Sequence, residues 1–244
     1  VWRLEVPPGF GRRYHLAQLD DYGGLGRRAF PWQPPLELRL RARSSVNDWP
    51  GTWGFGLWND PFSLALAHGT QAFRLPTLPQ AAWFFFAAAP NYLSLRDDLP
   101  AQGGMAAVFE AAPLTLRVAT RLALSAPGLL LRPLARRVRR SWRRWVTEAG
   151  AALEVDATVW QDYCLRWQAT GVQMWVGETC VLATPRSPRP PLALVFWIDN
   201  QWAAFRPDGR WGWGLLAHPG GWLEMADVTL TQDGRVHEIR LSGA

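Results

Sequence analysis

The chain has 244 residues, a formal charge of +6, sixteen Trp against three Met, and no Lys among its cations. That length suits one large β-sandwich or two small domains and buries a sizeable core, while the aromatic wealth fits broad rings packed on pleated strands or stacked on sugar rings. The positive excess sits in one segment and no motif interleaves bases with aromatics, which sets nucleic acid aside as a partner.

In chain order, no charged n-region and apolar h-region opens the sequence at Val1. No run reaches the ~18–20 apolar residues of a membrane span. A cytoplasmic location is expected, with a leader removed before Val1 as the alternative. Arginine-only cations read as a GC-rich coding bias of thermophilic character. Tyr14–Leu19 alternates moderately. From Leu36 to Arg43 the alternation is strict: Leu36, Leu38, Leu40 and Ala42 face a core, and Glu37, Arg39, Arg41 and Arg43 face water. Asn47–Gly51 is turn chemistry leading into Gly51-Thr-Trp-Gly-Phe-Gly-Leu57, a string repeated as Gly209-Arg-Trp-Gly-Trp-Gly-Leu215. As strands, each copy puts its aromatics and Leu on one face and a glycine column on the other. The column implies close approach, either by neighbouring aromatic rings or by a ligand.

Ala82–Ala87 is apolar on both faces, as a central strand is. Tyr92–Leu95 and Met105–Phe109 follow as strands, separated by the turn-rich Asp97–Gly104, in which Asp97 and Asp98 are expected to be solvated. Residues 113–150 break the β pattern. Leu114–Leu124 and Leu129–Val146 read as helices punctuated by Pro127-Gly128 and Pro133. In the second, Leu131, Leu134, Val138, Trp142 and Trp145 recur at helical spacing and arginines crowd the other surface. The segment is then either a helical insertion capping the sandwich, or a contact for an anionic membrane or an acidic partner through 129–146. In the second case Arg136, Arg140 and Arg144 carry the charge, and Trp142 and Trp145 are the interfacial anchors.

Strands near 162–168, 172–176 and 179–184 form a meander, followed by Leu192–Ile198, the second glycine string, Trp222–Leu230 and an edge strand in Arg235–Leu241. In the meander Cys164 and Cys180 lie on strands separated by a middle one. That leaves them ~9–10 Å apart, beyond disulfide reach, as two free, buried thiols. His15, His68, His218 and His237 are scattered singly, without metal-ligand spacing. Trp58-Asn59-Asp60 and Trp197-Ile198-Asp199-Asn200-Gln201-Trp202 end strands with short polar groups beside indoles. They are candidate ligand corners, together with Trp211 and Trp213; the alternative is that Asn and Asp there make turns.

The stretch Thr158-Val-Trp-Gln-Asp-Tyr-Cys-Leu-Arg-Trp-Gln-Ala-Thr-Gly-Val-Gln-Met-Trp-Val-Gly-Glu178 resembles a recurrent piece of family 16 glycoside hydrolases, the laminarinase and lichenase type, within the concanavalin A-like lectin/glucanase fold. Gln161 stands where the family commonly has His, and Gly177-Glu178 replaces Asp-Gly. Leu38–Ser44 with Trp53–Trp58 is similar to the strand pair before the family's catalytic strand; Pro191–Asp199 and Leu223–Leu230 are similar to later strands. The resemblance implies a single all-β domain over 1–244, an antiparallel two-sheet jelly-roll sandwich (concanavalin A-like) with an inserted helical segment near 113–150. It also implies a possible structural calcium at Asp227. Retaining members carry a Glu-x-Asp-x-(x)-Glu strand whose carboxylates flank one glycosidic bond. The matching Trp83–Ala89 has no carboxylate, and Glu224 with Asp227 has the wrong parity for one face. The expected function is therefore non-catalytic binding, with oligosaccharide or polysaccharide as ligand and no cofactor beyond that calcium. The alternatives are the membrane or partner contact and a divergent carbohydrate-active enzyme using Asp60 or Asp199.

Overall fold

The computed structural model describes residues 1–61 and 75–243. Its strands run β1 (Trp2–Val6), β2 (Gly9–Phe10), β3 (Leu16–Asp20), β4 (Leu36–Ser44), β5 (Thr52–Trp58), β6 (Ala81–Ala87) and β7 (Gly103–Ala111). Two helices follow, α1 (Leu116–Ser125) and α2 (Arg132–Trp142), joined by a 3-10 turn over Ala126–Leu130. The second half holds β8 (Val146–Leu153), β9 (Gln161–Gln168), β10 (Gly171–Val176), β11 (Thr179–Thr184), β12 (Ala193–Asp199), β13 (Gln201–Phe205), β14 (Trp211–Leu215), β15 (Ala217–His218), β16 (Gly221–Gln232), β17 (Arg235–His237) and β18 (Ser242–Gly243).

Of these strands, β13 with β14 and β15 with β2 form separate two-stranded pairs, and the rest form two antiparallel sheets packed face to face. One has the order β1-β16-β4-β9-β10-β11 with β17 on β16; the other has the order β18-β3-β12-β5-β6-β7-β8. The strict alternation of β4 buries Leu36, Leu38, Leu40 and Ala42 against Trp53, Phe55 and Leu57 of β5 and Phe84 and Phe86 of β6. Phe55 and Phe84 both meet Tyr163 of β9 edge-on, at 5.0 and 4.9 Å. Burial of so many large side chains is the main stabilising term.

The alternate residues of the second sheet point away from this core, yet remain largely apolar. On one flank the loop 91–101 lays Leu93, Leu95 and Leu99 over Phe85, Met105 and Phe109. On the other, Tyr22 and Phe30 pack on Ala193 and Val195. A β-strand covered on both faces loses its polar alternation, which explains the continuous Ala-Ala-Trp-Phe-Phe-Phe-Ala of β6.

Several expectations need correction. Tyr92–Leu95 is loop, joined to β13 by a single Tyr92–Ala204 bridge. The helical insertion ends earlier than the spacing implied: α2 stops at Trp142, and Val146–Leu153 pairs with β7 as strand. Leu131 and Leu134 are exposed, and the buried face of α2 is Ala135, Val138 and Arg139. Asp97 is not simply solvated, because it bridges Arg139 and Arg143. The meander places Cys164 and Cys180 opposite the same Trp175 from its two sides, so both stay free; Cys164 is buried but Cys180 is exposed.

Candidate functional site

The first glycine column is closed by its neighbouring strands, with an indole ring on Gly54 and β6 backbone against Gly56. On β5, Gly54 and Gly56 face away from the core, beside Trp197 of β12 and Trp83 of β6 in the register. A Cβ on Gly54 would come within 2.7 Å of the Trp197 ring, and one on Gly56 within 2.7 Å of the Trp83 Cβ. Trp58, at the end of the same column, lies parallel to Trp197 with ring centroids 6.5 Å apart. Trp83 sits 5.9 Å from Trp58 and 5.4 Å from Trp197. All three rings are half-buried. They form an aromatic floor between the Leu93–Leu99 loop and Tyr22–Phe30. The Trp197 indole donates to Thr52 Oγ1, at 2.9 Å, whereas the indole nitrogens of Trp58 and Trp83 are buried and have no hydrogen-bond partner among the described residues.

Trp83 was not among the site residues expected from sequence, and Trp197 figured there only as the first residue of the Trp197–Trp202 corner. The usable signal was parity: on a strand beside a glycine column, the bulky residue of matching parity lands on the glycines. The β5–β6 and β5–β12 registers needed to apply it are long-range.

The two polar corners lie at opposite ends of this sheet. Trp58 pairs with Ala193 and Thr52 with Asp199, so six residue steps, roughly 20 Å, separate them along the strands. Both corners use their polar groups internally. Asn59 donates to Leu78 O and accepts from Gln80 N, and Asp60, at φ +48°, is buried. Asn200, fully buried, donates to Arg13 O and Leu216 O and accepts from His15 N. These are turn-making roles.

Asp199 is buried too. Its carboxylate accepts from Thr52 N and Oγ1, Gln201 N and Tyr14 Oη. Burial outweighs those hydrogen bonds and pushes its pKa up to about 6. The Tyr14 hydroxyl is pushed up by its own burial and by the Asp199 charge. Beside this corner opens a cleft of about 550 Å³, with Trp49, Pro50, Trp53, Phe86, Gln102 and Leu216 among its lining. The Asp199 carboxylate is directed inward to Tyr14 and Thr52, and only its backbone oxygen meets the cleft-lining Trp49 indole.

Two histidines expected to stand alone meet here: His15 Nδ1 and His218 Nε2 are 3.0 Å apart. Burial, then the neighbouring His15, lowers the His218 pKa. His237 packs edge-on against Trp32, and His68 lies outside the described residues. Among the described residues no group of three or more His, Cys, Asp or Glu could hold a metal ion. Asp227, at φ +52° in the β16 bulge, is exposed and pairs with Arg41 at 3.5 Å.

The second glycine string folds differently from the first. In the β13–β14 hairpin, outside both sheets, Gly212 and Gly214 lie under the Trp202 indole. Trp211 and Trp213 take the other face and are exposed, Trp213 by 75%. Trp211 donates to Leu129 O, and Phe205 meets Trp142 edge-on at 5.6 Å, which ties the hairpin to the helices. Trp142 is thereby half-buried, donating to Ser125 Oγ, and Trp145 is half-buried under Arg121. Arg136 braces the hairpin turn through Asp208 O, while Arg140 and Arg144 are exposed. Of the arginines expected on one solvated face, Arg139 is instead the buried anchor of α2, donating to Phe205 O, Ser94 O and Arg96 O and pairing with Asp97.

No protein-family model matches the chain, and no curated protein matches it. Among solved structures it is similar to LamAcat from Zobellia galactanivorans, at 11% identity and TM-score 0.44, over 94% of this chain and 90% of that one. It is also similar to a glycosyl hydrolase family protein from Mycobacterium fortuitum, at 10% identity and TM-score 0.43, over 94% and 74% of the two chains. A third is a pseudo beta-1,3-glucanase and immunostimulatory antigen of Mycobacterium tuberculosis, at 11% identity and TM-score 0.39, over 88% and 75%.

Proposed function

We propose that this sandwich binds glycan without cleaving it, through the Trp58–Trp83–Trp197 face of the second sheet. The observation that carries the reading is that trio: three half-buried indoles grouped within 6.5 Å of one another on one face of the sheet, one of them lying on Gly54. Ring faces suit the apolar faces of pyranose rings. On this face β6 offers Ala81, Trp83, Phe85 and Ala87, and β7 offers Met105, Ala107, Phe109 and Ala111. A retaining hydrolase of the two-carboxylate kind needs an acid and a nucleophile about 5–5.5 Å apart, and these two strands carry no carboxylate on that face.

Among the earlier candidates, Trp58 belongs to this face. Asn59, Asp60, Asp199 and Asn200 support it by fixing the strand ends. Gln201 and Trp202 belong to the hairpin. A glycan array followed by calorimetry on β-glucan and other plant or bacterial oligosaccharides tests the proposal. Binding in the micromolar to millimolar range, without release of reducing ends, is expected; no heat at millimolar ligand would refute it.

A further inference from the structure

A second surface lies apart from the indole trio, where the helical segment meets the β13–β14 hairpin. Between Pro113 and Trp145 the chain has nine Arg and no Asp or Glu. Among the described residues only Arg139 and Arg143 of these form ion pairs, both with Asp97. Large apolar side chains stand exposed in the same region: Leu130 by 80%, Leu131 by 60% and Trp213 by 75%. The hydrogen bond from Trp211 to Leu129 O joins β14, which carries Trp213 on the same face two residues on, to the segment that carries Leu130 and Leu131. Exposed leucines next to an exposed indole are unusual on a free surface and mark a contact.

We infer that this patch is a docking surface for an anionic lipid bilayer, with Leu130, Leu131 and Trp213 entering the interface and Arg137, Arg140 and Arg144 facing acidic headgroups. Charge complementarity selects the acidic partner: seven guanidinium groups of the segment lack an ion-pair partner among the described residues. The apolar groups select lipid over an acidic protein or nucleic acid, because a polyanion would neutralise the arginines but leave the leucines and Trp213 in water. This surface rests on different residues from the glycan face, and either can fail without the other.

Co-sedimentation of the whole protein with vesicles of phosphatidylglycerol in phosphatidylcholine, against phosphatidylcholine alone, tests the inference. Pelleting is expected with the anionic vesicles and should weaken steeply with added salt. Each of Arg137→Gln, Arg140→Gln and Arg144→Gln should lower affinity about fivefold, corresponding to about 1 kcal/mol per juxtamembrane cation. A Leu130→Ser/Trp213→Ser variant should lower it further while glycan binding and the melting temperature stay unchanged. Three results would overturn the inference: equal pelleting with neutral vesicles, binding to a soluble polyanion but not to vesicles, or a dimer in light scattering that the Trp213→Ser change dissolves.

Discussion

The Trp197 indole lies over Gly54 so closely that a Cβ there would come within 2.7 Å of the ring and 2.4 Å of Phe84 O. The first obstacle can shift; the second is backbone in the neighbouring strand. Gly54→Ala should therefore strain the β5–β6 pairing and cost about 2 kcal/mol or more by chemical denaturation. Gly212→Ala, in the hairpin, meets only the Trp202 ring at 3.2 Å and should cost less than about 1 kcal/mol. Equal losses at the two positions would contradict the different packing of the two strings.

Arg139 holds three carbonyls from two segments, and its own side chain is fully enclosed. Arg139→Leu should destabilise by about 3 kcal/mol, because the carbonyls and Asp97 lose their donors together. Lysine lacks the guanidinium fork and should recover less than half of that loss. Arg140→Gln, on the exposed face, should stay within about 0.5 kcal/mol in the same urea titration.

Asp199 and Asp21 are both pushed up to about 6, chiefly by burial. Their unfolded values lie near 3.9, so between about pH 4 and pH 6 the native state holds more protons than the unfolded chain. Stability from these groups is present in acid and falls as pH rises through that window. His218, shifted downward, acts in the opposite sense, since stability falls as pH drops below about 6.5. Asp199→Asn isolates the first effect: its stability profile should be flatter from pH 4 to 6 by on the order of 2 kcal/mol. An unchanged slope would show that Asp199 titrates normally.

Cys180 is exposed, whereas burial and the Glu37 charge raise the Cys164 thiol. A thiol reagent should label one cysteine quickly in the native protein and the second only on unfolding. Rapid labelling of both, or of neither, would contradict the meander register.

What could be read in the sequence followed from local pattern. The strict alternation of Leu36–Arg43 and the Gln161–Thr184 meander gave correct strands and the correct separation of Cys164 from Cys180. The glycine column of β5 announced close packing, but its partners Trp83 and Trp197 come from two strands whose registers depend on pairing across the chain. The second string looked alike and ended on the surface, because nothing within it encodes whether its strand joins a sheet. Arg139 was lost among its neighbours for the same reason. Helical spacing shows a position on the wheel, and only the loop carrying Ser94, Arg96 and Asp97 makes that position an interior one.

The most direct measurement is the set of indole N–H resonances of ¹⁵N-labelled protein during titration with the best oligosaccharide ligand. Trp58, Trp83 and Trp197, whose rings group on the proposed face, should shift most. Trp49, already bonded to Asp199 O, should stay in place. Shifts confined to Trp211 and Trp213, or no shift at saturating sugar, would contradict a glycan site on the second sheet.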